Sequence, residues 1–146
     1  MTEWKHPDDL DRVAAAVPAP DRDAPASSDE VTSTLGKVLI SGSLTRVPRH
    51  PGHRAIVLAL LCTELQRRYA YTEGELNDVL RDALARMHAK VDHVTCRRYL
   101  VDTGFVKRDR AGNRYLLNFP RLEDTLAPAA RAEAYELVRQ ALSKRR

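Results

Sequence analysis

The sequence predicts a mainly α domain with a small β-ribbon, and three neighbouring signals carry that prediction. Thr72 with Glu75 three residues later reads as a capped helix start. Asp92 opens a second, shorter helix that Gly104 closes. Two short alternating segments then flank Asp109-Arg110-Ala111-Gly112-Asn113, whose last two residues supply turn chemistry. Helix, helix and basic ribbon in that order outline a winged helix-turn-helix, a shape often laid against DNA. The expected organisation is a disordered acidic tail over residues 1–30, a winged-helix-like domain over 31–120 and a C-terminal helix within 121–146.

From the N-terminus, Leu10, Val13, Ala14 and Val17 stand at helical spacing, which suggests a short helix over residues 7–17. Pro18, Pro20 and Pro25 follow among Ala, Ser and Asp and read as a flexible linker to about Asp29. Val38-Leu39-Ile40 is a short apolar run between Gly36 and Gly42, consistent with a strand. Past Pro48 and Pro51, a helix from Gly52 or His53 to about Tyr69 places Ile56, Val57, Leu60, Leu61 and Leu65 on a buried stripe.

The Thr72 helix continues its apolar face through Leu76, Val79, Leu80, Ala83, Leu84 and Met87, and Tyr71 can close a hydrophobic staple on Leu76. In the helix from Asp92 to about Thr103, Cys96, Tyr99, Leu100 and Thr103 cluster on a core side. Thr95, Arg98 and Asp102 share a second side, and Val94, Arg97 and Val101 a third. Arg97 and Arg98 therefore point about 100° apart and cannot both reach one base. Phe105–Arg108 and Arg114–Leu117 form the ribbon, and Pro120 is expected to break the chain. A last helix from Pro128 to Ser143 packs through Ala134, Leu137, Val138, Ala141 and Leu142, with Lys144-Arg145-Arg146 set favourably against its C-terminal dipole.

The net charge of +4 hides an uneven split. Residues 1–30 hold eight acids and three bases, net −5, while residues 31–146 hold twelve acids and 21 bases, net +9. A basic body suits an anionic partner, although dispersed charge also serves solubility alone. An acidic tail on a flexible linker could fold back on that body as an electrostatic brake. Cys62 and Cys96 are too few and wrongly spaced for a disulfide framework, which fits a reducing cytoplasm. The longest apolar run, Ala55–Cys62, is far short of a membrane span, and no signal peptide is visible.

Residues 71–80 (YTEGELNDVL) and 92–115 (DHVTCRRYLVDTGFVKRDRAGNRY) resemble the prokaryotic domain of unknown function 2087. The resemblance covers roughly residues 44–117 and is carried by Tyr71, Glu73, Glu75, Asn77, Asp92, Arg97, Arg98, Asp102, Gly104, Arg108, Gly112 and Tyr115. It implies a small helical domain of winged-helix character, found alone or joined to helix-turn-helix regulators, and supplies no biochemical activity. The stretch between Asn77 and Asp92 is longer here than in the family pattern, and no separate DNA-binding domain is expected upstream.

Candidate nucleic-acid contacts are Thr95, Arg97 and Arg98 on the helix and Lys107, Arg108, Arg110 and Arg114 on the ribbon. A structural reading competes for the arginine pair: Arg98 can pair with Asp102, and Glu73 or Glu75 can reach either arginine. A solvated hairpin competes for the ribbon. His50, His53, His88, His93 and the two cysteines lack the convergence a zinc site needs, so neither metal nor cofactor is expected. Glycine-rich phosphate loops and hydrolase motifs are missing, and Glu73 and Glu75 lie on different helix faces, so no enzyme is expected. The aromatic residues are too dispersed for a base-stacking platform.

The function that fits is a cytoplasmic bacterial DNA-binding protein, a transcription regulator or an accessory to one, touching double-stranded DNA through a basic wing. The alternative is a protein-interaction or dimerisation module on the same frame without DNA contact. In that case Val94, Val101 and the C-terminal helix supply the partner surface.

Overall fold

The computed structural model describes residues 24–144. The helix expected over residues 7–17 and most of the acidic tail lie outside that range. The fold is mainly helical with two small antiparallel hairpins.

Helix α1, Ser28–Val38, begins inside the last two residues of the expected linker and takes Val38 from the expected strand, whose Leu39 and Ile40 do form one. Ser27 caps it by accepting the Glu30 N–H, and Asp29 and Glu30 at the start with Lys37 at the end suit the helix dipole. Val31, Thr34, Leu35 and Val38 recur at helical spacing and are buried. The structured body already includes Ala26, which is buried and bonded to Thr125 and Ala127 on both sides of its peptide. The boundary expected at residue 30 is therefore too late, because a buried backbone segment must find partners.

Strands β1, Leu39–Ile40, and β2, Ser43–Leu44, turn through Ser41 and Gly42, both at positive φ. Two such residues make the mirror-image turn that matches strand twist. Helix α2, Pro51–Cys62, has His50 as its cap and Pro51 in its first turn, and Ile56 through Cys62 are all buried, so it forms the centre of the core. It stops seven residues before the expected Tyr69. The Thr63 hydroxyl donates back to the Leu60 carbonyl, the Leu65 N–H donates to Cys62, and Arg68 adopts a left-handed φ of 67°.

Helix α3, Glu73–Arg86, carries the full capping box: Thr72 Oγ1 accepts the Glu75 N–H at 3.1 Å, and Glu75 Oε1 accepts the Thr72 N–H at 2.8 Å. Its end is a Schellman turn in which His88, at φ 50°, takes the place usually held by glycine. Helix α4, His93–Asp102, is capped by Asp92 and closed by the same device with Gly104 at φ 85°. Strands β3, Val106–Arg108, and β4, Tyr115–Leu117, pair antiparallel with Lys107 opposite Leu116.

The expectation for Pro120 is reversed. Asn118, almost fully buried, donates to the Gly104 carbonyl and accepts the Arg121 N–H, so Pro120 sits in the first turn of α5, Phe119–Thr125. The expected C-terminal helix is split at Glu133 into α6, Pro128–Ala132, and α7, Ala134–Ser143. These helices do not stand apart. One hydrophobic cluster runs from Ala26 through α2 to Ala141, with α7 packed on α1.

Thr72→Ala should lower unfolding free energy by about 1 kcal/mol in urea denaturation, with the transition still cooperative. Hydrogen bonds from the Thr72 N–H first and the Tyr69 hydroxyl second hold the Glu75 carboxyl below its ordinary range, and the hydroxyl and N–H of Thr95 do the same for Asp92. Both carboxylates are depressed on folding, so their contribution is present above the ordinary carboxylate range near pH ~4 and lost as pH falls below it. Thermal melts from pH 6 to pH 2.5 should show that decline, and it should be shallower in Glu75→Gln and Asp92→Asn.

Candidate nucleic-acid interface

Helix α4 divides into four directions. Cys96 and Leu100 point into the core, where burial pushes the Cys96 thiol up to about 11. Arg97 turns toward α3: its guanidinium donates to Asn77 Oδ1 at 2.5 Å and lies 3.8 Å from Glu73, with only 18% of the side chain exposed. Tyr99 and Thr95 turn the other way, into an open groove of about 450 Å³ with Thr45, Arg46, Arg49 and Lys90. Val94, Arg98 and Asp102 face solvent between these two flanks.

The sequence-derived candidates therefore separate. Arg97 is held by α3 through Asn77 and Glu73, the ion-pair arrangement that competes with nucleic-acid contact. Arg98 is exposed, and the helical pair with Asp102 that its spacing allows is not formed. Thr95 is exposed at the first turn, where its N–H serves the Asp92 cap.

On the hairpin, Arg108 and Arg110 are exposed and Lys107 and Arg114 are half-buried. The turn between the strands is organised by Asp109, a residue that reads in the sequence as one more surface charge. It is only 6% exposed: its Oδ1 accepts the Asn113 N–H at 2.7 Å and the Arg114 N–H at 3.2 Å, and its carbonyl accepts the Gly112 N–H. Gly112 takes φ 75°, with the Arg108 side chain lying across it. The turn is thus closed by its own hydrogen bonds, with the Arg108 and Arg110 side chains exposed on either side of Asp109.

The hairpin is tied to α3 through Tyr71 and Tyr115. Each donates its N–H to the other's carbonyl at 2.8 Å, which annexes Tyr71 to the free edge of β4. The Tyr115 hydroxyl reaches Glu73 at 3.4 Å, so Tyr71, Tyr115, Glu73, Arg97 and Asn77 form one connected network. Beside it, Tyr69 donates to Glu75 at 2.7 Å and lies edge-on to the Tyr71 ring.

A family model described as an uncharacterized protein conserved in bacteria, domain of unknown function 2087, matches residues 43–117. The chain belongs to this family. No curated protein and no solved structure matches it. The stretch matched to the domain of unknown function 2087 begins at β2 and ends with β4, so it contains α2, α3, α4 and the hairpin. Of the remaining helices, α1, α5 and α7 pack on it from outside the matched stretch, and α6 packs on α1 and α7. Of the motif residues that carry the resemblance, five form the network just described. Arg98, Asp102 and Arg108 remain at the surface.

His50 and His53 stack with ring centroids 4.2 Å apart, and His50 Nδ1 accepts the His53 N–H, which makes the pair a helix cap. Among the described residues no three His, Cys, Asp or Glu side chains converge to hold a metal, and no helix is long and apolar enough to cross a membrane. Sequence reading missed Asp109, Arg46, Arg49 and Lys90. Only the Asp-x-x-Gly turn spacing could have pointed to the first.

Arg97→Ala should cost about 1.5 kcal/mol in urea denaturation, the scale of a hydrogen bond to a charged group. Arg98→Ala should stay within about 0.5 kcal/mol of wild type, as an exposed substitution does. Asp109→Ala should cost about 2 kcal/mol by leaving two turn N–H groups unpaired.

Proposed function

We propose that the protein is a cytoplasmic DNA-binding protein of bacteria, a transcription regulator or an accessory to one, that meets double-stranded DNA through α4 and the β3–β4 hairpin. The observation that carries the reading is the contrast between neighbouring arginines. Arg97 is engaged inside the fold by Glu73 and Asn77, while Arg98 stands on an open helix face beside a hairpin on which Arg108 is exposed.

The topology supports the same reading. Helix α2, the single paired residue Tyr71, helices α3 and α4 and then a two-stranded ribbon follow the winged-helix order, with α4 in the position of the helix that enters the major groove. In this reading Lys107, Arg108, Arg110 and Arg114 contact phosphates, which position the protein, and Arg98 with Thr95 addresses base edges. Arg97 acts only by fixing the angle of α4.

A second reading, a protein-interaction or dimerisation module, draws on exposed apolar side chains: Val94 is 42% exposed and Tyr135 60%. Val101 contributes little to such a surface, since it is half-buried against the core. Most of the apolar face of α7 is likewise spent internally, with Leu137, Val138 and Ala141 buried.

The hairpin variant Arg108→Glu/Arg110→Glu should weaken duplex binding at least tenfold while leaving the melting temperature unchanged. The three or four phosphates neutralised by the hairpin contribute about −3 to the slope of log K against log salt. Unchanged affinity in a gel shift removes the hairpin from the interface, and salt-insensitive self-association by light scattering favours the second reading.

A further inference from the structure

A second group of cations lies on the flank of α4 away from the hairpin. Arg46 and Arg49 come from the segment joining β2 to α2, and Lys90 from the turn joining α3 to α4. All three are exposed at the rim of the groove that Thr95 and Tyr99 line. One carboxylate lies in this groove, that of Asp92, and its Oδ1 is engaged by the Thr95 N–H.

The position of this ridge follows from the helix itself. At about 100° per residue, Arg97 and Tyr99 project about 200° apart around α4, with Arg98 midway between them. Arg97 points to Glu73, which the hairpin residue Tyr115 also touches, so that flank is the hairpin side. Tyr99 points to Arg46 and Arg49, so that flank is the ridge side. Arg98 therefore rises from a strip with positive charge on both borders. Asp102 stands one turn later on that strip, which confines favourable contact with an anion to the part of α4 up to Arg98.

We propose that Arg46, Arg49 and Lys90 form a second phosphate-gripping ridge, so that the protein straddles both backbones of a duplex with Arg98 over the base edges between them. This rests on the DNA-binding reading and names its substrate form: two cationic borders around a central helix fit two phosphate strands flanking a major groove. A single strand has one backbone and can occupy one border at a time.

The test is fluorescence anisotropy with a 20-base-pair duplex of arbitrary sequence and with one of its strands alone, each titrated with salt. The full chain is compared with a ridge variant, Arg46→Ala/Arg49→Ala/Lys90→Ala, and a hairpin variant, Lys107→Ala/Arg108→Ala. The expected result is that the ridge variant loses roughly tenfold or more in duplex affinity and that its salt slope falls by about 2 to 3. Single-strand affinity should fall clearly less, and the hairpin and ridge losses should add. Wild-type binding to duplex that the ridge variant reproduces in affinity and slope overturns the ridge alone. Equal losses on duplex and single strand overturn the two-backbone geometry. A wild type that binds no duplex overturns both this inference and the DNA reading. Unchanged circular dichroism melts guard against unfolding, and single Arg46→Gln and Arg49→Gln variants, each expected to lower the slope by about 1, replace the triple variant if it melts early.

Discussion

The pairing of Tyr71 with Tyr115 is the contact on which the candidate interface depends. Two backbone hydrogen bonds of 2.8 Å join the residue before the α3 cap to the first residue of β4. The Tyr71 hydroxyl adds a third tie by accepting the Gln66 N–H at 2.7 Å, which secures the segment after α2. A two-stranded ribbon of three pairs is marginal by itself. Annexed to Tyr71, and with Val106 and Leu117 buried in the core, it becomes a fixed part of the domain. Thr72 then begins α3 one residue later, so the hairpin and the helix N-terminus share one anchor.

That anchor also explains why two adjacent arginines have opposite roles. Glu73 is the first residue of α3 and faces both the Tyr115 hydroxyl and the Arg97 guanidinium. The angle at which α4 crosses α3 is set by this contact, by Asn77 and by the burial of Cys96 and Leu100. Once Arg97 is committed there, the helical repeat places Arg98 outward. An exposed guanidinium keeps its hydration and costs little in the free protein, so it is available to an incoming anion without first breaking an internal pair. Arg97 would lose two partners to do the same.

Features written in a few consecutive residues were legible in the sequence. The Thr72–Glu75 capping box, the Asp92 cap, the Gly104 closure and the Gly112 turn all depend on local backbone chemistry, and each forms as expected. Helix α1 has a comparable local signal in Ser27 and Glu30, but the prolines upstream hide it. The end of α2 is less local, because apolar Leu65 extends the helical pattern while being buried through a turn. The direction of Arg97 was not legible, since Asn77 lies twenty residues away. Arg46, Arg49 and Lys90 are scattered over two loops and obey no periodicity, so only the fold brings them to one groove. Asp109 misleads in the other direction: an acid among basic residues suggests solvent, yet it is the buried keystone of the turn.

The competing interaction-module reading differs from the DNA reading in the kind of surface it requires. A stable protein interface needs a contiguous apolar centre from which charge is depleted. Around α4 the opposite holds: Val94 is an isolated exposed apolar residue, bordered by Arg98 on its own face and by cations on both flanks. Covering that surface with another protein would bury several charges, and each would then need a carboxylate in matching position. A polyanion supplies such charges at regular spacing and releases its own counterions on contact, so the same arrangement that disfavours an apolar partner favours a nucleic acid. Around Tyr135 the balance is different, since the ring is exposed and carries Arg86 over its face. A contact there with another protein would leave the α4 face open, so the two readings need not exclude each other.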